Sequence, residues 1–304
     1  MQISKTTAIV LALGVVVCSS KANASLPVNN QLKSESKLQL AQINPQVALT
    51  YFKNGNKRLE QGDYQGAIAD LTKVIQINPQ LAPAYYNRAV ARAQLQDYQG
   101  AIADFTKVIQ FNPNDTEAYY NRGVARHQLQ DNQRAIADFT KVIQFNPSDF
   151  KAYNERGNAH LKLKDYQTAI ADFSKAIQIN PEIDIVYYNR GIARIRLEDY
   201  QTAIADFTKA IQVNPQSDIA YYNRGVARRK LKDWQAAIPD FNRAIEINPN
   251  YADAYSNRGI ARSFSGDEAG GITDVKKAIS MYQQQGETAK AQKLVEFIRI
   301  VSNR

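Results

Sequence analysis

The chain of 304 residues has one cysteine, one tryptophan, two methionines and two histidines. The cysteine is Cys18, near the start. A chain processed downstream of it holds no thiol, which excludes disulfides, thiolate metal sites and cysteine nucleophiles together. That composition also suits an oxidising compartment. His127 and His160 lie in neighbouring stretches and read as framework substitutions, not as a metal pair. No glycine-rich phosphate loop, nucleophile elbow, metal-spaced cluster or isolated carboxylate pair occurs. The chain therefore reads as non-catalytic, with no cofactor. Fourteen glycines and ten prolines are too few for a low-complexity chain. Long apolar runs are also missing: the longest, Thr6 to Val17, is too short to span a bilayer comfortably.

That run is part of an address. Lys5 precedes it, and Ala22-Asn23-Ala24 gives the small-x-small shape of a signal peptidase site before Ser25. Residues 1–24 are read as a signal peptide, placing the protein in the periplasm or cell envelope; the alternative is a membrane anchor left uncleaved. Bulky Val15, Val16 and Val17 argue against lipidation at Cys18. Residues 25–47 are polar and irregular and read as a tether. There are 38 basic and 29 acidic residues, a net +9, which permits polyanions or acidic peptides as partners and identifies neither.

From residue 48 the chain repeats itself every 34 residues, in blocks 48–81, 82–115, 116–149, 150–183, 184–217, 218–251 and 252–285. Each block predicts two amphipathic helices, over block positions 2–14 and 17–30. In the second, Ala101, Phe105 and Val108 fall on one face of a 3.6-residue period. Pro79, Pro113, Pro147, Pro181, Pro215 and Pro249 close six blocks. Aspartates from Asp63 to Asp267 stand before the second helix as N-caps. Gly55, Gly123, Gly157, Gly191, Gly225 and Gly259 share one position with Ala89, and so many helix-interior glycines predict close approach of the partner helix. One such hairpin cannot bury both its faces, but a stack can.

The period and the pattern Tyr221, Gly225, Ala237, Phe241, Ala244, Pro249 resemble the tetratricopeptide repeat (TPR) family over residues 48 to about 282. The resemblance implies an all-α fold: a right-handed α-solenoid of helix–turn–helix repeats. Residues 286–304 would cap it, with Ala291, Leu294, Val295 and Ile298 facing the last repeat. That repeat departs from the pattern, with Gly271 for alanine and Val275 for phenylalanine. Two further departures are systematic: arginine commonly precedes the glycine, as at Arg88, and follows it by three, as at Arg92. Buried arginines need partners, and the reading pairs them between repeats, Asp70 with Arg88 and Asp104 with Arg122.

In the family, the first helices line a concave groove. Here that implies a peptide-binding strip of Tyr86, Asn87, Tyr120, Asn121, Tyr188, Asn189, Tyr222, Asn223 and Asn257. Asparagine pairs a donor with an acceptor, as a peptide backbone does. The same asparagines could instead bond neighbouring parts of the fold. Lys162, Arg196, Arg229 and Lys230 make the later half basic, suited to an acidic segment or a C-terminal carboxylate. Asn56 and Asn87 match the carboxylate clamp of chaperone-binding relatives, but Phe52 and Glu117 stand where that clamp has lysine. The favoured reading is a scaffold for extended peptides in an exported envelope assembly. The alternatives are polyanion or nucleic-acid binding through the basic half, which an export signal disfavours, and a self-assembling structural array.

Overall fold

The structure, a computed structural model, describes residues 34–302. Residues 1–24, read as a signal peptide, the start of the stretch read as a tether, and residues 303–304 lie outside the described residues. The described residues form fifteen helices and no strand. They divide into two units, the chain passing from one to the other after Pro147.

The first unit holds α1 (Ser34–Glu60), α2 (Tyr64–Ile77), α3 (Ala82–Gln94), α4 (Tyr98–Phe111), α5 (Thr116–Gln128) and α6 (Asn132–Phe145). The second holds α7 (Phe150–Lys162), α8 (Tyr166–Ile179), α9 (Asp184–Arg196), α10 (Tyr200–Val213), α11 (Asp218–Lys230), α12 (Trp234–Ile247), α13 (Ala252–Phe264), α14 (Glu268–Gln284) and α15 (Thr288–Ser302). Within each unit, consecutive helices pack as antiparallel hairpins, and each second helix packs on the following first helix. This is the all-α tandem helix–turn–helix fold that the period predicts.

The hairpin follows from a few residues. Asp97 accepts the Gly100 N–H at 2.9 Å, and its counterparts from Asp63 to Asp267 cap the other second helices in the same way. The second helices of the first six blocks end at asparagine, Asn78 to Asn248, just before each block's proline. The first helix stops one residue short of the expected position because the turn requires a left-handed residue two places on. Gly62 and Gly266 supply it in the first and last blocks, while Gln96, Gln130, Lys164, Glu198 and Lys232 adopt φ of 61–65° in the others. A side chain there is strained. Changing all five to glycine should stabilise the chain by about 0.5 kcal/mol apiece, net of the entropy glycine adds to the unfolded chain, read as a higher urea midpoint.

The core of the third to sixth blocks is a phenylalanine set against a glycine. A Cβ added at Gly225 would lie 2.7 Å from Phe241 Cε1, so the close approach read from the glycines is real. The last block does this differently. A Cβ on Gly259 would lie 2.7 Å from the Gly271 carbonyl oxygen, so two glycines let the backbones of α13 and α14 meet directly. Gly271 and Val275 are thus a tighter version of the pair, not a decayed one.

The arginines pair differently from the sequence reading. Arg88 does not reach back to Asp70. It holds Asp104 of its own block with two bonds, at 2.8 and 2.7 Å, and Arg92 takes the same carboxylate at 2.8 Å. The trio recurs as Arg122–Asp138–Arg126, Arg190–Asp206–Arg194, Arg224–Asp240–Arg228 and Arg258–Asp274–Arg262. The bonds these arginines send to the preceding block end on neutral groups: Arg88 donates to the Thr72 hydroxyl at 3.0 Å, and Arg122 to Thr106 at 3.1 Å. Each position-7 arginine also lies over the tyrosine three residues before it, Arg88 at 5.6 Å from the Tyr85 ring. His160 replaces one arginine of the trio and stands 4.0 Å from Asp172, in keeping with a framework substitution.

The two ends also differ from the sequence reading. The tether is helical from Ser34, and α1 runs to Glu60 with Pro45 inside it. Lys, Leu, Gln and Ala in that stretch favour helix. At the other end, α15 buries Ala291, Leu294 and Val301, with Ile298 partly covered by the same cluster. Val295, expected on that face, is 54% exposed. The buried stripe advances by three and four residues, and Val295 falls one residue off it.

Candidate functional site

First helices lie beside one another within each unit: α1 with α3, and α7, α9, α11 and α13 in series. Their residues at block positions 2, 5, 6, 9, 12 and 13 share one helical face. The tyrosine at position 5 packs on the phenylalanine of its own block: Tyr86 on Phe105, Tyr120 on Phe139, Tyr188 on Phe207 and Tyr222 on Phe241, with centroids 5.6–6.0 Å apart. The asparagine at position 6 reaches back to the previous block's tyrosine. Asn121 donates to the Tyr86 hydroxyl at 2.9 Å, Asn223 to Tyr188 at 3.4 Å and Asn257 to Tyr222 at 3.2 Å. Where Asn154 replaces the tyrosine, Asn189 donates to its amide oxygen at 3.3 Å. Asn87 donates to Asn56 at 2.8 Å.

The asparagine row is therefore a strap between blocks. In the first unit it is interior: Asn87 is 0% exposed, Asn121 5% and Tyr86 4%. Tyr86 donates to Glu117 at 3.2 Å, which closes the strip over it. These three positions, expected to meet a peptide, lie in the interior of the fold, where burial leaves a partner no access. Tyr120 is half-buried. In the second unit Tyr188, Asn189, Tyr222, Asn223 and Asn257 are all half-buried and keep some surface.

Two residues of this surface went unremarked in the sequence. Ile185 and Ile219, at position 2 of α9 and α11, are 43% and 38% exposed beside those tyrosines. The sequence signal is the doublet "DIVYYNRG" and "DIAYYNRG", shared by these two blocks. Tyr251 adds its ring 4.7 Å from Tyr222. Of the expected basic patch, Lys162, Arg196 and Lys230 are exposed and Arg229 is half-buried.

Burial raises the pKa of the Tyr86, Tyr188, Tyr222 and Tyr251 hydroxyls, so they act as neutral hydrogen-bonding groups. Burial also pushes the Glu155 carboxyl up, although Asn154 donates to it at 3.0 Å. No group of His, Cys, Asp or Glu among the described residues could hold a metal, and no described helix is long and apolar enough to cross a membrane. The face offers apolar contact, amides and cationic groups.

Models of the tetratricopeptide repeat match residues 55–96, 82–115, 116–149, 150–183 and 188–252. The chain carries tetratricopeptide repeats. No curated relative matches it. Solved TPR structures share the fold. A TPR protein from Parabacteroides merdae has 20% identity and a TM-score of 0.62, covering 82% of this chain and 98% of its own. MamA from Desulfovibrio magneticus, from its residue 41, has 26% identity and a TM-score of 0.54 over 56% and 97% of the two chains. YrrB, described as a TPR protein with an unusual peptide-binding site, has 24% identity and a TM-score of 0.54 over 62% and 97%. TPR repeats make protein-interaction scaffolds, and no catalytic family is matched.

Proposed function

We propose that this TPR chain binds extended peptide segments along the first-helix face of its second unit, as a non-catalytic scaffold of an exported envelope assembly. The observation that carries this reading is the pair of exposed isoleucines, Ile185 and Ile219, in the same place on adjacent first helices. An aliphatic side chain held in water gains only when a partner covers it. Half-buried Asn189 and Asn223 beside them keep amide surface for a peptide backbone. YrrB, a TPR protein described as having an unusual peptide-binding site, supports the reading. The export part rests on the pattern of residues 1–24.

The test is a peptide array probed with the purified chain and with Ile185→Glu/Ile219→Glu. Both side chains are exposed, so the variant should keep its helicity. Peptides retained by the parent should lose at least about tenfold in affinity with the variant, the effect of uncovering two aliphatic contacts. Equal retention would place the site elsewhere, and no retention would end the peptide reading.

A second reading rests on Lys162, Arg196 and Lys230, which are exposed and make no ion pair among the described residues. If a polyanion is the ligand, binding of a single-stranded oligonucleotide will fall steeply with salt and survive the isoleucine changes.

A further inference from the structure

The half-buried arginines of the second unit's trios each meet an aspartate. Arg190 and Arg194 hold Asp206, Arg224 and Arg228 hold Asp240, and Arg258 and Arg262 hold Asp274. Arg229 does not. It is half-buried at position 12 of α11, its Nε is sealed from solvent without a hydrogen-bond partner, and no carboxylate pairs with it. Burial lowers its pKa, and the group acting against this is Tyr222, not an acid. The other blocks place Leu59, Ala93, His127, Leu161, Ile195 and Ser263 at this position, so the fold does not need a permanent cation there. Leaving a buried guanidinium N–H unmatched is costly. Arg196 and Lys230, exposed at position 13 of adjacent first helices, add to the positive field.

Resting on the peptide reading above, we infer that Arg229 anchors an Asp or Glu side chain within the bound segment. The carboxylate would complete the missing pair, and the guanidinium fork suits it. An internal side chain fits better than a chain end, because α13 continues the face beyond α11. Ile219, Tyr222, Val226 and Arg229 form one line along α11. Ten residues separate its ends, about 15 Å. An extended peptide covers that in about four to five residues. The preferred segment therefore carries an aliphatic residue for Ile219 and an acid about four to five residues away.

The probe is a library of acetylated, C-terminally amidated decapeptides with Glu or Gln fixed at each position in turn. Binding to the full chain is followed by Trp234 fluorescence, the chain's one tryptophan. Glu pools should bind at least about tenfold more tightly than their Gln twins at the favoured positions, as a charged hydrogen bond allows. Arg229→Met should abolish that difference, Arg229→Lys should keep part of it, and Arg196→Met should leave most of it. Unliganded Arg229→Met should melt no lower than the parent, since the side chain it removes makes no ion pair and leaves its buried Nε unbonded in the fold. A lower melting temperature, a Glu preference surviving Arg229→Met, or equal Glu and Gln binding by the parent would each overturn the inference. Gln peptides with a free C-terminal acid replacing Glu pools as the tightest binders would assign Arg229 to a chain end and also overturn it. Binding without any acid preference sinks this inference alone, whereas no binding by any pool sinks the peptide reading with it.

Discussion

Asp206→Ala is expected to lower stability by about 3–5 kcal/mol, read as a fall in the urea midpoint of the second unit. The carboxylate is 2% exposed and accepts from Arg190 and Arg194 at 2.7 and 2.6 Å. Removing it leaves two guanidinium groups with no acid between them. The loss should be far larger than for an exposed pair such as Arg243–Glu246, where the median effect is about 0–1 kcal/mol. A companion variant separates the cost of an orphaned charge from the worth of the trio. Arg190→Met/Arg194→Leu/Asp206→Leu removes all three charges together and should recover most of the loss. If the single and triple variants unfold alike, the trio is a net source of stability and not a matched set.

Phe139→Ala should cost a similar amount in the first unit, about 3–5 kcal/mol, because the ring is fully buried and leaves a cavity. The cavity would open against Gly123, which has no Cβ to fill it, and beneath Tyr120, whose ring centroid is 5.8 Å away. Phe139→Leu should cost a fraction of this, since the first block already sets Leu71 against Gly55. Repeat arrays unfold by neighbour-coupled units. The alanine variant should therefore split a single calorimetric transition into two, with the damaged unit melting first. A single transition shifted as a whole would show coupling strong enough to override the damage.

The hairpin was legible in the sequence because each of its parts is chemically particular. Aspartate before the second helix, proline after it and glycine opposite phenylalanine each have one main use in a helical hairpin, and the structure uses them that way. The arginine partners were not legible. Arg88 is almost equally far along the chain from Asp70 and Asp104, and only the register of the hairpin chooses Asp104. The asparagine row was ambiguous for a related reason: an amide that suits a peptide backbone also suits a tyrosine hydroxyl. Burial decides between them, and at Asn87 and Asn121 it decides for the fold. Ile185 and Ile219 were hidden by their ordinariness, since an isoleucine in an amphipathic helix reads as core until its exposure is known. Val295 was misplaced by one step of helical phase.

The arginine–aspartate trios have a consequence for how such a chain can grow. Each trio is complete inside one repeat, and the bonds that Arg88 and Arg122 send to the preceding block end on the hydroxyls of Thr72 and Thr106. A copied block inserted between two others would bring its own counterions and meet its neighbour through a neutral group. No charge of a trio would be stranded at either seam. Arrays of different lengths thus keep every trio whole, and the number of blocks can drift by duplication or loss without re-pairing these charges.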